Sequence, residues 1–290
     1  MATIAFMLAV HSQAAQAQAT PGPVISPTQA FQANPTFAQG NGVHDTTPNL
    51  DTVTLSTTET VINWATLDVQ TPQQTNTSVN VLDTGSTLQF VGPSGGYTVL
   101  NRILPTAGTG GTFRPVSLNG TVDSRLGTVG GAQGGDIWFY SPGGIITGAS
   151  SRFDVGSLIL SASTLDNIDN GGTQLNFTGV SQTDATVTVS AGTAINTNGY
   201  VAIVAPRIEQ NGNINADGSI AYVAADEAVL TINQGLFDIS VGIGTSNTNG
   251  IVHNGVTTGP ARSGDADNQT IYMVAVPKNQ ALTTLIAGSA

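Results

Sequence analysis

"GGDIWFYSPGGIITG", Gly134–Gly148, packs four apolar or aromatic side chains against a Ser-Pro-Gly-Gly turn, and a second short apolar step follows. Alternation along "IWFY" places Ile137 and Phe139 on one face and Trp138 and Tyr140 on the other. A strand of this kind needs apolar cover on both sides, and the expected cover for its outer face is an accessory strand. "DIWFY" then reads as a strand, "SPGG" as a corner and "IITG" as the start of a new face.

The same rhythm runs outward in both directions. From Val53, short apolar bursts alternate with turn residues, among them "TVINW", "YTVLNRIL", "PVSLNGTV", "ATVTVS", "GYVAIVAP", "SIAYVAADEAVLTI" and "TIYMVAVP". This spacing is all-β. Only 9% of the 290 residues are charged, against about 25% in ordinary soluble domains. Thr, Asn, Ser, Gln and 35 Gly make up the polar surface instead, a composition suited to short strands and tight turns.

Internal similarity narrows the architecture. "YVAIVAP" (Tyr200–Pro206) resembles "IAYVAAD" (Ile220–Asp226); matching Val204 with Val223 gives a 19-residue step, and matching Phe139 with Ile159 gives 20. Repeats of about 20 residues with Gly and Asn turns suggest rungs of a parallel β-helix. "NGNINADG" (Asn211–Gly218) is expected to form a corner between faces. Pattern alone leaves a β-sandwich open.

Composition also excludes partners. The net charge is −11 with seven Lys plus Arg, which argues against nucleic acid and against docking on anionic lipid. No cysteine is present, so disulfides and thiolate chemistry are excluded. That suits a chain that crosses more than one membrane unfolded. Residues 1–19 read as a signal peptide: "TIAFMLAV" (Thr3–Val10) is the apolar region, and "AAQAQA" (Ala14–Ala19) offers A-x-A cleavage sites. The apolar run is shorter than the about 20 residues that span a bilayer, so no membrane span is expected. Residues 20–50, rich in Pro, Gln and Asn, read as a leader or cap with little regular structure and one early strand.

Six pieces in order resemble the filamentous haemagglutinin N-terminal domain, the two-partner secretion (TPS) domain of large exoproteins. They are "VINWATLDV" (Val61–Val69), "STLQFVGP" (Ser86–Pro93), "VLNRI" (Val99–Ile103), "VSLNGTV" (Val116–Val122), "IWFYSPGGIITG" (Ile137–Gly148) and "SRFDVGSLILSAS" (Ser151–Ser163). The fifth aligns with the family's N-P-N-G-I turn, with Ser141 and Gly143 at the asparagine positions. Ser141 is expected to act as a turn-capping acceptor, and Gly143 to supply a positive φ. The resemblance implies a right-handed parallel β-helix (β-solenoid) with an N-terminal cap and accessory hairpins. It divides the chain into a secretion domain, 51–165, and continuing rungs, 166–290.

The resemblance further implies a secreted or cell-surface exoprotein of a Gram-negative bacterium, exported via the periplasm through a cognate outer-membrane transporter. That transporter's periplasmic domains would recognise Asn101, Arg102, Ser141, Pro142, Gly143, Gly144 and Ile145, and the exported protein would act as an adhesin for host or surface glycans or proteins. No enzyme activity, cofactor or metal is expected. Two alternatives stay open: a secreted β-helix polysaccharide lyase or hydrolase, and an autotransporter passenger fragment. Residues 166–260 hold Arg207 as their one basic residue besides histidine, which weighs against a lyase base.

The remaining candidate groups are sparse. The glycines match neither G-x-x-x-x-G-K-[ST] nor G-x-G-x-x-G, and "VGIGTSN" (Val241–Asn247) has no third glycine. His11, His44 and His253 lie far apart, unlike zinc ligands. Asp166 with Asp169, Asp226 with Glu227, and Asp265 with Asp267 are read as solvated turn acids rather than a catalytic pair or a calcium site. Arg102, Arg114, Arg125 and Arg152 fall inside the family-like region. They either pair locally with Asp123, Asp136 or Asp154, or form a recognition surface with Arg102 foremost.

Overall fold

The computed structural model describes residues 28–68, 78–108, 111–233, 235–259 and 269–278. The signal segment and the Asp265/Asp267 pair lie outside the described residues.

The chain winds as a three-faced parallel β-helix. Its cap strands, β1 (Ala33–Gln39) and β2 (Gly42–Thr46), lead into β3 (Leu50–Leu55) on the third face and β4 (Glu59–Thr66) on the first. The first full turns are β5 (Val79–Leu82), β6 (Thr87–Gly92) and β7 (Thr98–Leu104), then β8 (Val116–Leu118), β9 (Thr121–Leu126) and β10 (Asp136–Tyr140). Next come β11 (Gly144–Thr147), β12 (Arg152–Val155) and β13 (Ser157–Ser161). An excursion follows through β14 (Ser163–Leu165) and β15 (Gln174–Val180). The helix resumes with β16 (Thr186–Val189), β17 (Ala194–Thr197) and β18 (Val201–Ala205), then β19 (Arg207–Gln210) and β20 (Asn213–Ala216). Strand β21 (Ile220–Asn233) enters the first face and then leaves it to pair with β22 (Leu236–Gly244). The last turn is β23 (Ile251–His253), β24 (Val256–Thr258) and β25 (Ile271–Ala275).

Each face is a ladder of like positions. On the first, β4, β7, β10, β13, β18, β21 and β25 stack in parallel. Ile62, Asn101, Phe139, Leu160, Ile203 and Tyr222 form one inward column of this ladder, and Met273, next in register, is exposed. Connections from second to third face hold two to four residues throughout. Those from first to second face vary most: 67–78, 105–115 and 162–185 are long, whereas 141–143 and Pro206 turn abruptly.

Period-2 strands produce two cores. The inner one holds Trp64, Phe90, Ile137, Phe139, Phe153 and Leu160, all fully buried. The outer one holds Leu100, Trp138, Tyr140, Ile159, Val204 and Val223, covered by Leu175 and Phe177 of β15, Leu230 of β21 and Phe237 of β22. The expected accessory cover is therefore an antiparallel sheet of β14, β15, β21 and β22. Each such side chain removed from water contributes about 1.5–3 kcal/mol. At the N-terminal end, β1 and β2 pair antiparallel with β4 and β3, and Phe31 plugs the core against Trp64. The plug is held by Asp51, whose carboxylate accepts from the Ala30 and Phe31 amides at 2.9 and 3.0 Å and from His44 at 3.0 Å.

Three expectations change. Val204 does pair with Val223, but Phe139 pairs with Leu160 and Trp138 with Ile159, a 21-residue step. A one-residue slip exchanges the faces, and Phe139 and Ile159 belong to different cores. "NGNINADG" is not merely a corner. Asn213–Ala216 is a third-face strand with Ile214 and Ala216 inward, flanked by a corner at Asn211 and Gly212 and another at Asp217 and Gly218. The 20–50 segment carries two complete strands, because pairing with β3 and β4 satisfies backbone groups that its composition left unassigned.

Candidate functional site

The motif residues gather where the first face hands the chain to the second. Asn101 lies in the inward column, fully buried between Ile62 and Phe139. Its Oδ1 accepts from Trp64 Nε1 at 3.0 Å, and its Nδ2 donates to the Trp138 carbonyl at 3.2 Å. A partner therefore cannot touch Asn101 in the folded chain. Arg102, the next residue, points outward, with its side chain 25% exposed and its Nη2 3.3 Å from Asp166 of the long 162–185 connection. Asp169 accepts from Asn176.

The Ser141–Gly144 corner is built from backbone. The Gly144 amide donates to the Ser141 carbonyl at 3.1 Å, and the Ser141 amide donates to the Ser161 carbonyl at 3.1 Å. The Ser141 hydroxyl is fully buried and has no hydrogen-bond partner, so it is not the turn-capping acceptor expected of it. The positive φ falls on Gly144, at +100°, rather than on Gly143. Gly143 serves a close approach instead, since a Cβ there would overlap the Arg114 carbonyl of the preceding rung. Pro142 and Ile145 are buried as well. Of the seven candidate residues, Arg102 is the one with exposed surface.

The same corner holds a buried ion pair. Arg114 Nη1 lies 3.1 Å from Asp68 Oδ2, with both side chains at most 5% exposed. The guanidinium's Nε and Nη2 are left without partners. Asp68 drew no attention in the sequence, because 46 residues separate it from Arg114. Arg125 behaves as expected, bridging Asp123 and Asp154 at 2.5 and 2.6 Å. Arg152 donates to the Ser151 and Gly192 carbonyls. Among the described residues, Asp136 meets no arginine. Burial pushes its carboxyl up, and the Ser157 and Thr98 hydroxyls partly offset that.

A groove opens on the second face between the long connections. Its volume is about 480 Å3, and Phe113, Gly143, Ile146, Gln182, Asp184 and Thr188 are among its lining residues. The remaining charged groups are dispersed. His253 meets Thr257 at 2.8 Å and the Tyr222 ring edge-on inside the helix, where burial pushes the Tyr222 hydroxyl up to about 12. Asp226 binds Lys278 at 2.9 Å. Among the described residues, no three His, Cys, Asp or Glu side chains stand together as metal ligands would. No described helix is long and apolar enough to cross a membrane.

No protein-family model matches the chain, and a search of curated proteins found no match. Among solved structures, the chain is similar to the crystal structure of the HMW1 secretion domain from Haemophilus influenzae, with a TM-score of 0.57 and 15% identity. The match covers 83% of this chain and 62% of that one, so this chain spans less than two thirds of the neighbour's length. At that identity the likeness is one of fold.

Proposed function

We propose that this chain is an exoprotein secreted by the two-partner route. Its capped β-helix directs export through a cognate outer-membrane transporter, and the exported protein is an adhesin at the cell surface or in the medium. The observation that carries this reading is the likeness in fold, over 83% of this chain, to a solved secretion domain. The ordered motifs of residues 61–163 support it independently. In this reading the chain is not an enzyme. The carboxylates Asp123, Asp154, Asp166 and Asp226 are engaged in ion pairs, which leaves them poorly placed as an acid–base pair.

Arg102 is the residue of the motif available to the transporter. The test is co-expression with and without that transporter, with exported protein measured in the medium. Release is expected to depend on the transporter, and Arg102→Glu is expected to reduce it several-fold without shifting the urea midpoint of the folded protein. Equal release in the transporter's absence overturns the proposal.

A further inference from the structure

The geometry points to a binding site for neutral saccharides in the second-face groove, a site whose existence does not depend on the export route. Three successive rungs shape it. The middle rung turns from first to second face within 141–143, whereas the rungs on either side carry the long connections 105–115 and 162–185. The short turn thus leaves a recess between two taller neighbours. Its volume of about 480 Å3 falls within the about 300–1,000 Å3 of small-ligand sites.

The recess is held open by specific bonds. Gln182 Oε1 accepts from the Phe113 amide at 2.9 Å, and Gln182 Nε2 donates to the Phe113 carbonyl at 3.2 Å. One side chain thereby joins the two long connections through both backbone groups of a single residue. Gly143 contributes no side chain, and none could be added without overlapping Arg114. A recess fixed before the ligand arrives spares the cost of ordering its walls.

The lining chemistry selects the ligand. Phe113 and Ile146 supply apolar surface for the C–H face of a pyranose ring. Thr188, next to Ile146 in register, and Asp184 supply a hydroxyl and a carboxylate for sugar hydroxyls. No Lys or Arg is among the lining residues, and the nearby Arg114 is buried against Asp68. A sialylated or uronate sugar would bring negative charge to Asp184 on a chain of net charge −11. A basic peptide would find one carboxylate and an otherwise uncharged wall. An uncharged oligosaccharide meets neither obstacle.

The test uses the folded full chain on an array of gluco-, galacto- and manno-oligosaccharides alongside sialylated and uronate-containing ones. Binders are then titrated calorimetrically, with a lysine-rich decapeptide run in parallel. Neutral oligosaccharides are expected to bind, with sialylated counterparts at least tenfold weaker. Phe113→Ala and Asp184→Ala are each expected to weaken binding at least tenfold. Asp184 is exposed, so its variant keeps the wild-type urea midpoint and separates binding from folding. The proposal is overturned by the absence of neutral-saccharide binding, by tighter binding of the sialylated sugars or the peptide, or by neutral binding that neither substitution changes.

Discussion

Trp64 donates its indole N–H to the side-chain oxygen of Asn101 at 3.0 Å, wholly inside the β-helix. The bond ties two adjacent rungs across the inner core. Asn101→Leu strands that N–H and removes a donor from the Trp138 carbonyl. The expected loss is about 2 kcal/mol in urea unfolding, the cost of burying an unsatisfied polar group. The double variant Asn101→Leu with Trp64→Phe should lose less than the sum of the two single changes, because it removes both partners.

Asp68 and Arg114 are coupled more strongly. Asp68→Asn leaves a buried guanidinium without its counter-charge, in a place where two of its nitrogens already lack partners. A loss of about 3 kcal/mol is expected. Adding Arg114→Met to Asp68→Asn should recover part of it, since the uncompensated charge goes too. Chemical denaturation of the four proteins in this cycle measures the coupling.

Restoring the family-like asparagine at position 143 should harm rather than help. A Cβ at Gly143 runs into the backbone carbonyls of Arg114 and Phe113, which have no flexible side chain's freedom to swing aside. Gly143→Asn and Gly143→Ala are both expected to destabilise by about 1–3 kcal/mol, the usual range for overpacking. Equal melting temperatures for wild type and Gly143→Asn would contradict the placement of this corner.

Asp136 gives a pH signature. Its folded carboxyl titrates higher than a free aspartate, chiefly through burial. The folded state therefore favours the protonated form. That contribution is fully present below the unfolded value of about 3.9 and is lost as pH rises through the folded one. Asp136→Asn removes the penalty while keeping hydrogen-bonding atoms near Thr98 and Ser157. The variant should be more stable than wild type at pH 7 and equal to it near pH 3, compared by urea midpoints.

Local alternation carried most of what the sequence revealed. "IWFY" alone separates the two cores, because strand parity is fixed within a few residues. The same parity would have placed Asn101 inward, between Val99 and Ile103, but its position beside Arg102 in a recognition motif drew the opposite reading. The register across Gly156 was missed by one residue, because nothing local states how much chain a corner consumes. Asp68 and Arg114 meet only because two connections of different length bring them to one corner, and pattern reading has no access to that. The groove is hidden for the same reason, since it exists as a difference between neighbouring corner lengths.

That variable corner also bears on how such a chain can lengthen. Closing a loop costs entropy that grows only with the logarithm of its length, about 0.6 kcal/mol per doubling. The hand-over at 141–143 and the one at 162–185 serve the same ladder and the same strand register. Sequence can accordingly be spliced in at this seam, rung by rung, while the pairing on either side stays as it was. The scaffold and its ornaments are separable there, and foreign segments grafted at that seam would be displayed along one line of the molecule at a spacing set by the helix itself.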